Sequence, residues 1–382
     1  MGCTCLQSNI SNEKINEMNE MNEEEQMDTQ KEASDDNFDD KIFIENNLNT
    51  NDNDDIDKLR SPPQNDIPNQ SIEKEEKEDK LEKEEKYEQE EKQESNNINN
   101  NNNIDNEFQY ITTDKIDQKE YEELMEKYSP LNDDVEVEKR NPQESKKNKV
   151  IYEGEWDKNN NTRHGRGIQI WPDGAKYIGY WKNNKANGMG KLYHSDGDVY
   201  EGEWLNDKPN GKGIYIHLDG TKYEGDWVDD KQDGNGMEIW PDGAKFEGQY
   251  KDGKKNGKGK FSWADGSFYV GNFENNNING YGVYTFSDKR KYDGTWVNNK
   301  LEGKGIFTWP DGKKYEGEYK NDKKDGYGEF YWSNGKIYKG NWKNGKQDGE
   351  GEYYNPRNNV WRKGIWENGK KVKWINDIPA YF

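Results

Sequence analysis

The residues best placed to do chemistry stand at the start of the chain, in Met1-Gly2-Cys3-Thr4-Cys5-Leu6-Gln7. Removal of Met1 exposes Gly2 as an acceptor for N-myristoylation, and Cys3 and Cys5 are candidates for S-palmitoylation. The usual myristoylation pattern has Ser or Thr at position six, where this chain has Leu6. One myristoyl chain gives only marginal membrane binding, so stable anchoring takes a second signal. The first basic residue is Lys14, set among acids, which leaves a thioester on Cys3 or Cys5 as that signal. These are the only two cysteines. Two thiols so close in sequence cannot staple a fold, and alone they cannot complete a four-ligand zinc site.

Elsewhere the chemistry is sparse. The three histidines are His164, His194 and His217. His194 and His217 occupy a slot that holds Trp171, Trp240 and Trp263 in other copies of the repeat described below, so they read as ring replacements and not as ligands. No Ser or Cys in the C-terminal part sits in a nucleophile motif. The Gly-x-Gly pairs recur many times without opening a helix after a strand, unlike phosphate-binding loops. Glu and Asp are abundant but periodic, and nothing marks one pair as general acid and base. The expectation is a protein that is not an enzyme and has no catalytic residue, no metal site and no cofactor.

The elements that would carry a binding function lie beyond residue 150. Residues 1–150 of the 382 hold 43 Asp+Glu against 19 Lys+Arg, a net charge of −24, and the remainder holds 35 against 37, a net +2. All 14 tryptophans and every glycine but Gly2 lie in the second part. The acidity of the chain therefore belongs to an N-terminal arm and argues against nucleic acid as a partner. No run of about eighteen apolar residues and no secretory signal pattern are present, so cytosolic residence is expected.

Residues 1–7 form the acylation header, and 8–112 are expected to be a disordered acidic, Asn-rich arm, with too little apolar side chain to bury. Over 113–131 the spacing of Ile116, Tyr121, Leu124, Met125 and Tyr128 predicts a short amphipathic helix, capped by Thr113 and stopped by Pro130. It would either pack on the folded part or bind a partner. Residues 132–150 read as a linker.

From Ile151 to Trp366 an aromatic-x-Gly-x-aromatic unit repeats about every 23 residues. The ring pairs are Tyr152 with Trp156, Tyr177 with Trp181, Tyr200 with Trp204, Tyr223 with Trp227 and Phe246 with Tyr250. They continue as Tyr269 with Phe273, Tyr292 with Trp296, Tyr315 with Tyr319 and Tyr338 with Trp342. A worn tenth copy has Arg362-Lys363-Gly364-Ile365-Trp366. Each copy splits into two short strands. In the third, Tyr200–Trp204 is followed by a polar loop over 205–210 and a second strand from Gly211 to His217. Asp-Gly or Asn-Gly turns recur at Asp173, Asp196, Asp219, Asp242, Asp265, Asp311 and Asn334. A fixed period of this length means a stacked array of one supersecondary unit. The predicted fold is all-β, an elongated single-layer antiparallel meander of about ten hairpins. Alternation puts rings and bare glycine backbone on one face, where a ring can lie flat over a residue without Cβ. The other face mixes acids such as Glu201, Glu203, Glu224 and Asp226 with an apolar stripe including Ile168, Ile170, Ile214, Ile216, Met237 and Ile239. That stripe is either a plain surface or a contact for a partner or a second copy. Residues 367–382 would cap the last sheet edge.

Segments such as Tyr223-Glu-Gly-Asp-Trp-Val, together with Asp265-Gly, resemble the MORN (membrane occupation and recognition nexus) repeat over 151–366. Asp288-Lys289 departs from its Asp-Gly, and Arg362 from its leading aromatic. The resemblance implies a β-hairpin array that scaffolds proteins at membranes or in cilia and cytoskeleton. Two functions follow as expectations. One is a membrane-tethered adaptor, anchored through Gly2, Cys3 and Cys5 at the cytoplasmic face of a plasma or ciliary membrane and binding protein partners through the repeat sheet. The other is a structural part of an axoneme or cytoskeletal assembly. Direct phosphoinositide binding is weaker, since +2 of charge offers little pull.

Overall fold

The protein's structure, a computed structural model, describes residues 118–131 and 133–379, the last four as backbone only. Gly2, Cys3, Cys5, the arm over 8–112 and the helix cap at Thr113 lie outside the described residues.

Among the described residues one helix, α1 (Gln118–Lys127), precedes 21 strands. These are β1 (Val137–Glu144), β2 (Ile151–Asp157), β3 (Arg163–Ile170), β4 (Lys176–Lys182), β5 (Lys185–Tyr193), β6 (Val199–Leu205) and β7 (Lys208–Ile216). Then come β8 (Lys222–Val228), β9 (Lys231–Ile239), β10 (Lys245–Lys251), β11 (Lys254–Ser262), β12 (Phe268–Glu274), β13 (Asn277–Thr285) and β14 (Lys291–Val297). The last are β15 (Lys300–Thr308), β16 (Lys314–Lys320), β17 (Lys323–Tyr331), β18 (Ile337–Lys343), β19 (Lys346–Asn355), β20 (Val360–Glu367) and β21 (Lys370–Pro379). Each pairs antiparallel with the next in sequence, so the sheet is one open meander.

Two kinds of turn alternate. The tighter one has two residues, both left-handed, as in Asn206 (φ 53°) and Asp207 (φ 71°) or Asn298 (φ 48°) and Asn299 (φ 65°). Its backbone twist matches that of the flanking strands, and Asn and Asp tolerate the conformation best after glycine. The stretch 205–210, read as a loop, is thus mostly strand, because β7 already begins at Lys208. The Asp-Gly turns are longer. Trp171 N donates to Ala175 O, Gly174 N donates to Trp171 O, and Asp173 Oδ1 accepts from Ala175 N.

Register brings glycine opposite glycine: Gly202 pairs with Gly213, and Gly213 with Gly225. Within each repeat the leading ring covers the pair, Tyr200 over Gly202 and Gly213 or Phe246 over Gly248 and Gly259, and the tyrosine hydroxyls donate to the carbonyl three residues on, as Tyr200 does to Glu203 O at 3.0 Å. Neighbouring indoles stand edge-on: Tyr177 lies 5.1 Å from both Trp181 and Trp204. Trp204 Nε1 in turn donates to Gly190 O at 3.0 Å, so the polar atom of the ring is satisfied inside the layer. The edge-to-face zigzag runs from Tyr152 to Trp366, each contact adding about 0.5–1.5 kcal/mol beyond area burial. All eighteen repeat aromatics predicted from the sequence lie in this cluster, Trp156 at its margin.

The N-terminal end of the array differs from the sequence reading, and the C-terminal end takes a form that the reading did not specify. Residues 132–150, read as a linker, contain β1, which pairs with β2 through a bulge between Arg140 and Gln143. The tail covers the edge of β20 as a further strand, β21, paired with it through Pro379. Polar, charged β1 shows no alternation that would mark it as a strand, and β21 has lost the aromatic-glycine spacing.

Candidate partner-binding face

The face opposite the rings is built by the residues that alternate with them. One row crosses the sheet beside the glycines: Ile168, Ile178, Lys191, Glu201, Ile214, Glu224, Met237 and Glu247, on β3 to β10 in order. A second row, on the other side of the glycines, includes Tyr180, Met189, Glu203, Lys212, Asp226 and Asn235.

Helix α1 lies on the start of this face. A ten-residue helix is marginal alone, so its apolar side must be buried for it to persist. Leu124, Met125 and Tyr128 form a second buried cluster with Ile168, Ile178 and Tyr180, flanked by Tyr121, Leu131, Met189 and Tyr193. Ser129-Pro130 ends the helix as expected. Polar contacts fix it at both ends. Glu120 pairs with Lys176 at 2.7 Å and accepts from the Tyr193 hydroxyl. Lys127 pairs with Glu201, which also faces Lys191 at 3.7 Å. Burial pushes the Glu201 carboxyl up, but the hydrogen bond from Lys127 and the charges of Lys191 and Lys127 outweigh it and hold the pKa below the ordinary value. Of the two roles open to the amphipathic helix, packing on the folded part is the one observed. The stripe at Ile168 and Ile170 is correspondingly covered.

Beyond α1 the face opens into a groove of about 970 Å³. It begins at Lys127 and Met189, passes Glu201, Lys212, Ile214, Glu224 and Met237, and ends at Glu247 and Lys258, with glycine backbone along its floor.

Several acids on this face do more than meet solvent. Glu203 Oε1 accepts from Lys212 N at 3.0 Å, and Asp226 Oδ2 accepts from Asn235 N at 2.8 Å. Each N–H follows a left-handed glycine, Gly211 (φ 106°) or Gly234 (φ 117°), at a β-bulge where the ladder leaves a donor unpaired. The acid before the second ring of the repeat is therefore a cap for the bulge. Sequence periodicity showed the acids and the paired glycines but gave no reason to connect them.

The remaining sequence candidates are dispersed. His217 Nδ1 lies 3.0 Å from Asp198, whose carboxylate also accepts from Tyr215, and the His194 ring lies tilted 5.9 Å from that of Tyr215 on the ring face. His164 is buried beside Asp133. No group of three or more His, Cys, Asp or Glu side chains suited to a metal occurs among the described residues, and none of their helices is long and apolar enough to cross a membrane.

The MORN repeat family profile matches nine successive segments of the chain, from 152–176 through 338–360. No curated protein matches. Among solved structures, the TCP10 domain of Danio rerio CPAP in complex with a peptide of Danio rerio STIL is 15% identical, with a TM-score of 0.36 over 56% of this chain and 95% of that one. The SAS-4 TCP domain of Drosophila melanogaster in complex with a proline-rich motif of Ana2 is 14% identical, with a TM-score of 0.26 over 39% and 81%. Virginiamycin B lyase of Staphylococcus aureus reaches a TM-score of 0.14 at 13% identity, over 66% and 88%. Scores this low transfer nothing about ligands.

Proposed function

Because this chain belongs to the MORN repeat family, generally a non-enzymatic repeat module, we propose that it is a scaffold holding a protein partner on the α1-bearing face of its sheet. In the same proposal, acyl chains on Gly2, Cys3 and Cys5 tether it to the cytoplasmic face of a membrane. The docking of α1 supports the binding half. The ring face spends its apolar surface on its own zigzag, whereas the other face already accepts an amphipathic helix through apolar contacts flanked by ion pairs. The N-terminal sequence supports the tether, since the only cysteines, Cys3 and Cys5, lie within three residues of Gly2.

Photo-crosslinking side chains placed singly at Tyr281 and Val283, on the α1-bearing face, and at Trp332, on the ring face, test the binding half in native cells. One discrete partner adduct from the first two and none from Trp332 is expected, and the reverse pattern would refute it. Intact mass of the mature N-terminal peptide tests the tether. Myristate on Gly2 with palmitate on Cys3 or Cys5 is expected, and a bare or acetylated Gly2 would remove the tether while leaving the scaffold.

A further inference from the structure

We propose that the groove from β5 to β11 takes a partner's amphipathic α-helix with lysine or arginine at every seventh residue and apolar side chains between them. This rests on the scaffold reading above and names the chemistry of the partner.

Helix α1 supplies the pattern. Its two sheet-bound charges, Glu120 and Lys127, are seven residues apart, with Leu124 and Met125 buried between them. Each charge meets an opposite charge on the sheet, Lys176 or Glu201. The groove is continuous with this interface, since Lys127 and Glu201 line its mouth.

The row beside the glycines continues the same alternation. Glu201, Glu224 and Glu247 stand on β6, β8 and β10, with Ile214 and Met237 on the strands between. Strands two apart are separated by about 9.6 Å. Seven residues of α-helix rise about 10.5 Å. A helix laid across the strands thus presents a basic residue near Glu224 and the next, seven residues on, near Glu247; the residues three and four after the first meet Met237, and those three and four before it meet Ile214. The long lysine side chain absorbs the remaining difference. Glu224 and Glu247 are exposed, and each is paired with a lysine of its own strand, Lys222 at 3.0 Å or Lys245 at 3.2 Å. Exposed pairs of this kind hold their partners weakly, so a lysine delivered by a docked helix can share the carboxylate.

The probe is a labelled synthetic peptide of about sixteen residues, with lysine at every seventh position and leucine three and four residues after each. It is titrated with the purified full-length chain by fluorescence anisotropy. Micromolar binding is expected, and Glu224→Lys with Glu247→Lys should weaken it about tenfold or more. The peptide with glutamates in place of its lysines should prefer the charge-reversed chain by a similar factor. Both substituted positions are exposed, and unchanged tryptophan fluorescence confirms that the sheet is intact. Absence of binding at about 100 µM, or equal binding by both peptides, would overturn the proposal. If the peptide fails while a native partner still crosslinks at Tyr281 or Val283, the groove assignment falls and the scaffold reading stands. If neither binds, both fall.

Discussion

Adding one methyl group to Gly305 tests whether the glycines exist to receive rings. Gly305 on β15 pairs with Gly294 on β14 beneath the Tyr292 ring. A Cβ there would lie 2.5 Å from Cε2 and Oη of Tyr292 and 2.6 Å from Cζ. Carbon atoms in contact prefer about 3.5–4.0 Å, so the overlap is about 1 Å. The ring cannot yield easily. It is fully buried, its hydroxyl donates to Thr295 O at 3.1 Å, and Trp296 and Tyr319 press on it edge-to-face at 5.2 Å. Overpacking costs about 1–3 kcal/mol, and this fixed ring places Gly305→Ala near the upper end. Gly243→Ala is the control, since its new Cβ meets nothing within 4 Å and suffers only from φ of 88°, roughly 1 kcal/mol. Tyr292→Ala alone should cost about 3–5 kcal/mol by opening the layer. The double variant should cost about 1–3 kcal/mol less than the sum, because the clash has lost its partner. Denaturant titration followed by tryptophan fluorescence gives the totals. Hydrogen exchange over β14 and β15 shows whether the loss is local, as expected for an array of neighbour-coupled repeats. Strict additivity, or a Gly305→Ala cost no larger than that of Gly243→Ala, would refute this account of the glycines.

Glu203→Ala should destabilise by about 1 kcal/mol, since it strips the cap from Lys212 N, and hydrogen exchange should quicken at that amide first. The buried pair of Lys255 and Glu238, 2.7 Å apart, offers a sharper contrast. Glu238→Ala should cost about 3–5 kcal/mol, whereas Glu238→Phe with Lys255→Leu, which restores residue types found at those positions in other repeats, should be neutral or stabilising in thermal melts. Burial pushes the Tyr284 hydroxyl up to about 12 from 10.0. Its raised pKa gives stability that is complete below about pH 10 and is lost as pH rises towards 12, so tyrosinate absorbance should appear in two stages, with the ring-face hydroxyls ionising only as the sheet opens. A single reversible midpoint near 10 for all tyrosines would contradict that burial.

Much of the array is legible in the sequence because its physics is local and repeated. A ring, a glycine two residues on and a second ring two further share one face of a strand by alternation alone, and the period then fixes which glycines meet. What escapes the sequence depends on contacts between rows. The carboxylate of Glu203 looks like a solvated acid until the bulge at Gly211 leaves an N–H in front of it. The Asn-Asp turn at 206–207 hides inside a polar run, because its signal is backbone conformation and not composition. Strand β1 has no apolar alternation, since it pairs only at the edge, and its strand character comes entirely from β2.

The candidate site shows the same division from the other side. An array of near-identical hairpins is made self-consistent by what the copies share, so its specificity must lie in what they do not share. On the ring face the shared residues dominate, and departures such as Phe246, Glu238 or His217 are absorbed by neighbouring rings or partners. On the opposite face each hairpin contributes its own residue to the row beside the glycines: isoleucine at 168 and 178, lysine at 191, glutamate at 201 and 224, methionine at 237. Glycine opposite glycine holds these residues in register without occupying the face itself. The row is therefore free to vary from strand to strand while the sheet beneath stays the same, and α1 binds where that row is apolar at β3 and β4 and acidic at β6. A partner selected by this chain would be distinguished by the order of those side chains, which is why charge order, reversed at Glu224 and Glu247, is the property to perturb.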